Sequence, residues 1–122
     1  MWHRSFVRAQ AHADASGYDR AWSVTAFAVC AIKPAGYEVR YGESDRSGSE
    51  PTKPAEVACS NGRRLIAAGA AVTNTAPGHV TLQRSIPYSS PSYNSVAAMA
   101  VENTPFGPPW ESIVAQAICV DD

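Results

Sequence analysis

Three cysteines are the residues of this 122-residue chain best suited to covalent chemistry. In an exported domain, an odd number of cysteines gives one disulfide bridge and one spare thiol. We predict a bridge between Cys30 and Cys59, because antiparallel pairing of strands at 36–43 and 53–59 would bring these two residues together. The alternatives are a Cys59–Cys119 bridge and three reduced, buried thiols. A spare Cys119 would pack as a small apolar residue or cross-link a neighbouring unit.

The other potentially reactive side chains do not form a recognisable site. The sequence has no C-x-x-C motif and no histidine pair at ligand spacing, so we expect no zinc or other metal. His12 or His79 could join a serine and an aspartate (Asp14 or Asp19) in a triad, but no nucleophile-elbow motif supports that arrangement. We therefore predict no catalytic residues and no cofactor, and a small enzyme is the least favoured alternative.

Aromatic side chains in proline- and serine-rich segments are the better candidates for a binding site. The segments PYSSPSYN and NTPFGPPW carry four such residues, Tyr88, Tyr93, Phe106 and Trp110. Loops on a rigid scaffold often hold ligands, and aromatic rings there provide stacking surface for sugars or partner proteins. The competing interpretation is that tryptophans such as Trp110 pack in the core or at a strand edge.

The elements that would position these residues are strands, because apolar and polar residues alternate along most of the chain. We predict eight strands, at 5–13, 21–31, 36–43, 53–59, 63–72, 79–86, 94–102 and 111–120. Asn61-Gly62 is the strongest hairpin signal, since both residues tolerate the positive φ of a tight turn. The predicted fold class is all-β, an antiparallel sandwich or prism of about eight strands.

The chain also contains an internal pseudo-repeat. AFAVC at residues 26–30 matches AQAIC at 115–119, and AHA at 11–13 parallels AMA at 98–100. We therefore predict one β domain over 1–122, in which 5–31 is a half unit resembling 94–120 and 32–120 is a full unit. A chain that opens with a half unit is expected to be a fragment of an array or to supply its own missing strands.

Charge and hydropathy exclude two classes of partner. The net charge is −1 and charged residues make up 17% of the chain, without the basic patch of a nucleic-acid binder. No apolar run approaches the roughly 20 residues needed to span a bilayer. No signal peptide is visible, so we expect either a cytosolic protein or a mature form or fragment of an exported one, and the pseudo-repeat favours a fragment.

The motifs together resemble a repeat found in secreted actinobacterial proteins. The resemblance rests on WSVTAFAVCA, GYEVRYGES, KPAEVACSNGRRLIAAGAAV, HVTLQRSIP and the second tryptophan followed by AQAIC, and it covers nearly the whole chain. This sequence departs from the pattern at Ser60, where the repeat has proline, at Arg63, where it has lysine, and at Ala67-Ala68, where glycine is common. The resemblance implies an exported protein of a family mostly without assigned function.

We expect a non-catalytic module at the cell surface or outside the cell, recognising carbohydrate or a surface polymer. The alternative is a structural subunit that associates with itself, through edge strands or Cys119, or docks on a larger secreted or phage-tail-like particle. Unpaired strand edges favour that alternative, because they invite strand addition.

Overall fold

The computed structural model describes residues 6–13, 16–46, 50–73, 78–103 and 109–122, and within them the fold is all-β. Six strands form two antiparallel sheets of three strands each, in the orders β1-β6-β3 and β2-β5-β4. The strands are β1 (Glu38–Glu43), β2 (Thr52–Ala58), β3 (Arg63–Thr73), β4 (Val80–Ser89), β5 (Asn94–Glu102) and β6 (Ser112–Asp121). The prediction of an all-β antiparallel fold is confirmed.

The two strands predicted at 5–13 and 21–31 are wrong. Of these, the described residues 6–13 and 21–31 form no strand, and every one of them is exposed. The alternation of a sequence shows which face of a strand would be buried, but a strand also needs a neighbour to accept its backbone hydrogen bonds. In this chain β5 and β6, which share the sequence pattern, occupy the central positions of the two sheets.

Asn61-Gly62 does form a turn, but the predicted hairpin is also wrong. Gly62 has a φ of 76°, as a tight turn requires. The strands on either side belong to different sheets, however, because β2 pairs with β5 and β3 pairs with β6. The turn therefore carries the chain from one layer of the sandwich to the other.

The core between the sheets is made largely of small side chains. The central strands contribute residues that are at most 2% exposed, namely Val96, Ala98, Ala100, Ile113, Ala115, Ala117 and Cys119. Alternate residues of β2 face the same core. At Gly42 in β1 the two sheets approach so closely that an added Cβ would overlap the backbone carbonyl of Glu56 in β2. Glycine is required there for steric reasons.

One disulfide joins the two sheets across this core. It links Cys59, directly after β2, to Cys119 in β6, with a Cα–Cα distance of 5.9 Å. The preferred Cys30–Cys59 pairing is therefore wrong, and the alternative pairing is correct. The prediction assumed that the strands at 36–43 and 53–59 pair with each other. In the structure β1 pairs with β6 and not with β2, so no hairpin brings Cys30 to Cys59. Cys30 is a free, exposed cysteine.

A lysine also lies in the core. Lys53 on β2 is 1% exposed. Its Nζ donates hydrogen bonds to the carbonyl oxygens of Trp110, at 3.1 Å, and Glu111, at 2.9 Å. The same Nζ lies 4.8 Å from the centre of the Trp110 ring, within cation–π range. Lys53 thus connects β2 by hydrogen bonds to the residues that precede β6.

Candidate functional site

Two of the exposed tyrosines lie on the outer face of the β2-β5-β4 sheet. Tyr88 on β4 is 50% exposed, and Tyr93, in the turn that leads to β5, is 52% exposed. Both line one shallow depression together with Glu56 of β2 and Ser95 of β5. We call this group of four residues the tyrosine face. Two aromatic rings beside a carboxylate and a hydroxyl suit a ligand that has both apolar faces and hydroxyl groups.

The β4–β5 turn fixes the position of Tyr93. Its backbone N–H donates to the Ser90 hydroxyl at 3.0 Å, and its carbonyl accepts from the Ser90 backbone N–H at 2.9 Å. The Asn94 side chain accepts from the backbone N–H of Leu65 at 3.2 Å and so ties the turn to β3. The Tyr93 hydroxyl donates to Glu56 at 2.8 Å, which holds the ring over the sheet.

The sheet itself places Tyr88 and Glu56. Tyr88 stands directly opposite Ser95 in the antiparallel register of β4 and β5. Glu56 stands opposite Ala97 in the register of β2 and β5. Because side chains alternate along a strand, Lys53, Ala55 and Val57 face the core, and Glu56 is left to point outward.

The depression continues along the same face to Arg84 and Met99. A second hollow of about 350 Å³ shares Tyr88 and Glu56 with the first and extends to these two residues. The Arg84 guanidinium donates to the Met99 sulfur at 3.4 Å, a weak bond that leaves most of its donors for solvent or a ligand. The floor is flat because Ala97 has a small side chain.

Ser95 contributes a hydroxyl beneath the tyrosines. It is 0% exposed, and among the described residues its Oγ finds no hydrogen-bond partner. A buried hydroxyl without a partner costs stability, so such groups are uncommon in proteins. Ser95 Oγ is therefore an unsatisfied hydroxyl at the floor of the depression.

Two of the four predicted aromatic residues belong to this face. Trp110 does not, because it is 2% exposed and packs in the core, where its indole Nε1 donates to the Glu50 carbonyl at 3.3 Å. Phe106 lies outside the described residues.

The sequence analysis did not predict Glu56, Arg84 and Ser95 as site residues. Their only signal is their outward-facing position in the alternating pattern of β2, β4 and β5.

Charged clusters at the two ends of the sandwich hold loops in place. Glu38 accepts from the Ser60 backbone N–H at 2.9 Å and from the Ser60 hydroxyl at 3.0 Å, and it pairs with Arg63 at 2.8 Å. The Ser60 N–H, assisted by that hydroxyl and by Arg63 and Arg40, lowers the pKa of Glu38 below its ordinary 4.5. Glu38 thus ties β1 to the turn after β2 and to the start of β3.

At the opposite end, Glu43 accepts a hydrogen bond from the Ser112 hydroxyl and forms an ion pair with Arg46 at 2.9 Å. The Ser112 hydroxyl, followed by Arg46, lowers the pKa of Glu43 below its ordinary 4.5. Arg46 also pairs with Glu111, which precedes β6. This cluster ties the end of β1 to the start of β6.

The histidines considered for a triad lie in different parts of the chain. His12 is exposed in the segment before β1, where it hydrogen-bonds Gln10 at 2.9 Å. His79 is half-buried at the start of β4, and Asp14 lies outside the described residues. Among the described residues, no three His, Cys, Asp or Glu side chains gather as a metal site would require.

The part of the chain that the structure describes also holds no helix of membrane-spanning length and apolarity.

Comparisons of the chain with protein-family models, with curated proteins and with solved structures found no match.

Proposed function

We propose that this protein is a non-catalytic binding module outside the cell or at its surface, and that the tyrosine face binds carbohydrate. The observation that carries this proposal is the pair Tyr88 and Tyr93, each about half exposed on a rigid sheet and lining one depression. Such rings stack on the apolar faces of sugars at little entropic cost, because a tyrosine has only two side-chain torsions.

The polar groups of the face suit sugar hydroxyls. Glu56 accepts hydrogen bonds, whereas Arg84 can donate them. The hollow is open and runs along the sheet from Tyr93 towards Arg84. An open surface of this shape favours several units of a polymer chain over a small molecule enclosed in a pocket.

The disulfide supports the proposed location. Disulfide bonds persist in oxidising environments, such as the extracellular space, and are rare in the cytosol. The Cys59–Cys119 bridge crosses the core, where Cys119 is 0% exposed.

The test is binding of the oxidised protein to an array of glycans and bacterial cell-wall polymers. We expect a saturable ligand whose affinity falls by at least about tenfold in Tyr88→Ala and in Tyr93→Ala, as for aromatic hot spots. Tyr41→Ala is the matched control, because Tyr41 is 66% exposed on β1 of the other sheet. A ligand that binds all three variants equally, or an array without any saturable ligand, would refute the proposal.

A further inference from the structure

The segment before β1 lies outside any helix or strand and is apolar for a protein surface. Within residues 16–34 every residue is exposed, and none lies in a helix or strand. Phe27 is 81% exposed, Val29 95% and Ile32 95%. Water contact with so much apolar side chain is unfavourable, and contiguous exposed apolar surface often marks an interaction site.

The sequence of this segment repeats that of β6. When Cys30 is aligned with Cys119, five residue pairs match in type: Ser23, Val24, Ala26, Ala28 and Cys30 align with Ser112, Ile113, Ala115, Ala117 and Cys119. All five of those β6 residues are 0% exposed. From Val24 to Cys30 the segment therefore has, on alternate residues, the side chains that fill the core from the central strand of a sheet.

The preceding residues repeat β5 in the same way. Ala11 and Ala13 align with Ala98 and Ala100, which are 2% and 0% exposed in the core. The two segments thus follow one another in the same order as β5 and β6. We call residues 6–13 and 21–31 the spare strand pair.

The contacts of β6 define what the spare pair would need. β6 lies between β1 and β3, and it is bonded covalently to Cys59. The complement of a β5–β6 pair is therefore an open sandwich of four strands, arranged like β1 to β4, with a cysteine where Cys59 stands. In this chain those four strands already hold β5 and β6.

The described strands of a second copy do not supply that complement. Among the described residues, each copy has one set of four acceptor strands, which its own β5 and β6 already fill, so exchange of these strands among copies leaves one pair per copy unused. The complement that fits is a set of four acceptor strands without a closing pair.

We propose that residues 6–13 and 21–31 dock as a strand pair into a partner of this kind, a four-stranded open sandwich of the same type, and complete its fold. The spare pair adds its backbone to the partner's open sheets, and its alternate alanines and valine enter the partner's core. This is strand addition with a specific side-chain pattern.

The chain itself can provide the open acceptor for a test. Ala117→Arg places a charge at a position that is 0% exposed, so β6 can no longer close the sandwich. Cys119→Ser releases the Cys59 thiol. In wild-type protein the Asp121 N–H donates to the Ala35 carbonyl at 3.0 Å, so the end of a strand in the β6 position lies beside the turn before β1. The spare strand 21–31 can therefore reach that position by folding back as a hairpin.

The experiment oxidises the Ala117→Arg/Cys119→Ser chain with oxidised glutathione and maps its disulfides by mass spectrometry. The two thiols lose two protons and two electrons, and one glutathione disulfide becomes two glutathione thiols. We expect a Cys30–Cys59 bond and a retained β circular-dichroism spectrum. An unfolded chain without that bond would overturn the proposal.

Two added substitutions distinguish docking from random oxidation. Ala28→Arg alters the face that aligns with the buried Ala117, and we expect it to reduce the bonded fraction by at least about tenfold, as an unpaired buried charge requires. Phe27→Arg alters the opposite face, where β6 carries the half-buried Gln116, and we expect it to leave the bonded fraction unchanged. Equal bonding in both variants would refute strand docking.

A second arm tests docking between chains and the choice of partner. The open acceptor is the full chain with Cys30→Ser, Ala28→Arg, Ala117→Arg and Cys119→Ser, which disables both of its own strands of the β6 type and leaves β5 in place. Mixed with wild-type protein and oxidised glutathione, it should form a 1:1 dimer through the wild-type Cys30, whereas wild-type protein alone should sediment as a monomer. Absence of the mixed dimer, or wild-type dimers that Ala28→Arg abolishes, would overturn the proposed partner without affecting carbohydrate binding.

Discussion

The buried Lys53 gives the sharpest test of how the sandwich is held together. Its Nζ satisfies the Trp110 and Glu111 carbonyls, at 3.1 and 2.9 Å, and lies 4.8 Å from the Trp110 ring centre. Lys53→Met keeps most of the apolar stem but removes the donor. Each carbonyl left without a partner costs about 1–3 kcal/mol.

Burial of the ammonium group itself works in the opposite direction. Removing it from water costs several kcal/mol, which Lys53→Met recovers. Loss of the cation–π contact costs a further ~1–2 kcal/mol at a desolvated site. Since two carbonyls and the ring are affected together, we expect Lys53→Met to lower the free energy of unfolding by about 2–3 kcal/mol.

Lys53→Ala removes about three methylene groups in addition, at ~0.8 kcal/mol each, so we expect a loss of about 4–5 kcal/mol. The assay is urea unfolding followed by far-ultraviolet circular dichroism. Lys33→Met is the matched control: Lys33 is the only other lysine of the chain and is exposed, so its replacement should change stability by no more than about 0.5 kcal/mol. A Lys53→Met protein as stable as wild type would refute the reasoning, because the cost of burying the charge would then equal everything it gains.

Three further predictions concern the cross-link, the sheet crossing and acid stability. Reduction of the Cys59–Cys119 bond, which spans 60 residues, should lower the free energy of unfolding by about 4 kcal/mol, measured by urea unfolding with and without dithiothreitol. Gly42→Ala should destabilise by about 2 kcal/mol or more, because its Cβ would overlap a backbone carbonyl; a melting temperature equal to wild type would contradict this. Glu38 and Glu43 have lowered pKa values when folded, so their stabilisation is present above pH 4.5 and is lost as the pH falls below it. Unfolding measured from pH 7 to pH 3 should show this loss, and a smaller loss in Glu38→Gln; a flat profile would contradict it.

The sequence predicted the sandwich well, because alternation of small apolar and polar residues is a local property. The strands predicted at 63–72 and 94–102 appear as Arg63–Thr73 and Asn94–Glu102. The alanine-rich composition of both segments suits a helix equally, yet Asn-Gly before the first and the repeated pattern of the second favoured strands correctly.

Pairing was harder to predict, because it depends on which strands are available as neighbours. Residues 21–31 alternate as regularly as β6, but only one of the two can lie between β1 and β3. Which cysteine bonds to Cys59 depended on the same choice of neighbouring strands. A pairing of β1 with β2 would have brought Cys30 to Cys59, whereas the observed pairing of β1 with β6 goes with a bond to Cys119.

The candidate site was only half predictable for a related reason. Tyr88 and Tyr93 stand out as aromatic residues in a loop-rich segment. Glu56 and Arg84 are ordinary outward-facing residues of β2 and β4, and they join the tyrosines only because both strands flank β5. Sequence proximity cannot show that arrangement, since Tyr93 and its hydrogen-bond partner Glu56 are 37 residues apart.

The arrangement of Ala35, Asp121 and the disulfide also determines how the domain would respond to mechanical force. Ala35 and Asp121 are hydrogen-bonded neighbours, so a pull that separates them would peel β1 from β6 one bond at a time, the weakest loading geometry for a sheet. The tension then passes from Cys119 through the disulfide to Cys59. The chain from Ala35 to Cys59, about 25 residues or ~80 Å at roughly 3.3 Å per residue, could extend as β1 and β2 are pulled away. The strands β3 to β6, enclosed by the bond, would bear no load and would keep Tyr88, Tyr93 and Ser95 in place. Glu56 lies on β2, so tension would remove this carboxylate from the tyrosine face and weaken its hold on a ligand.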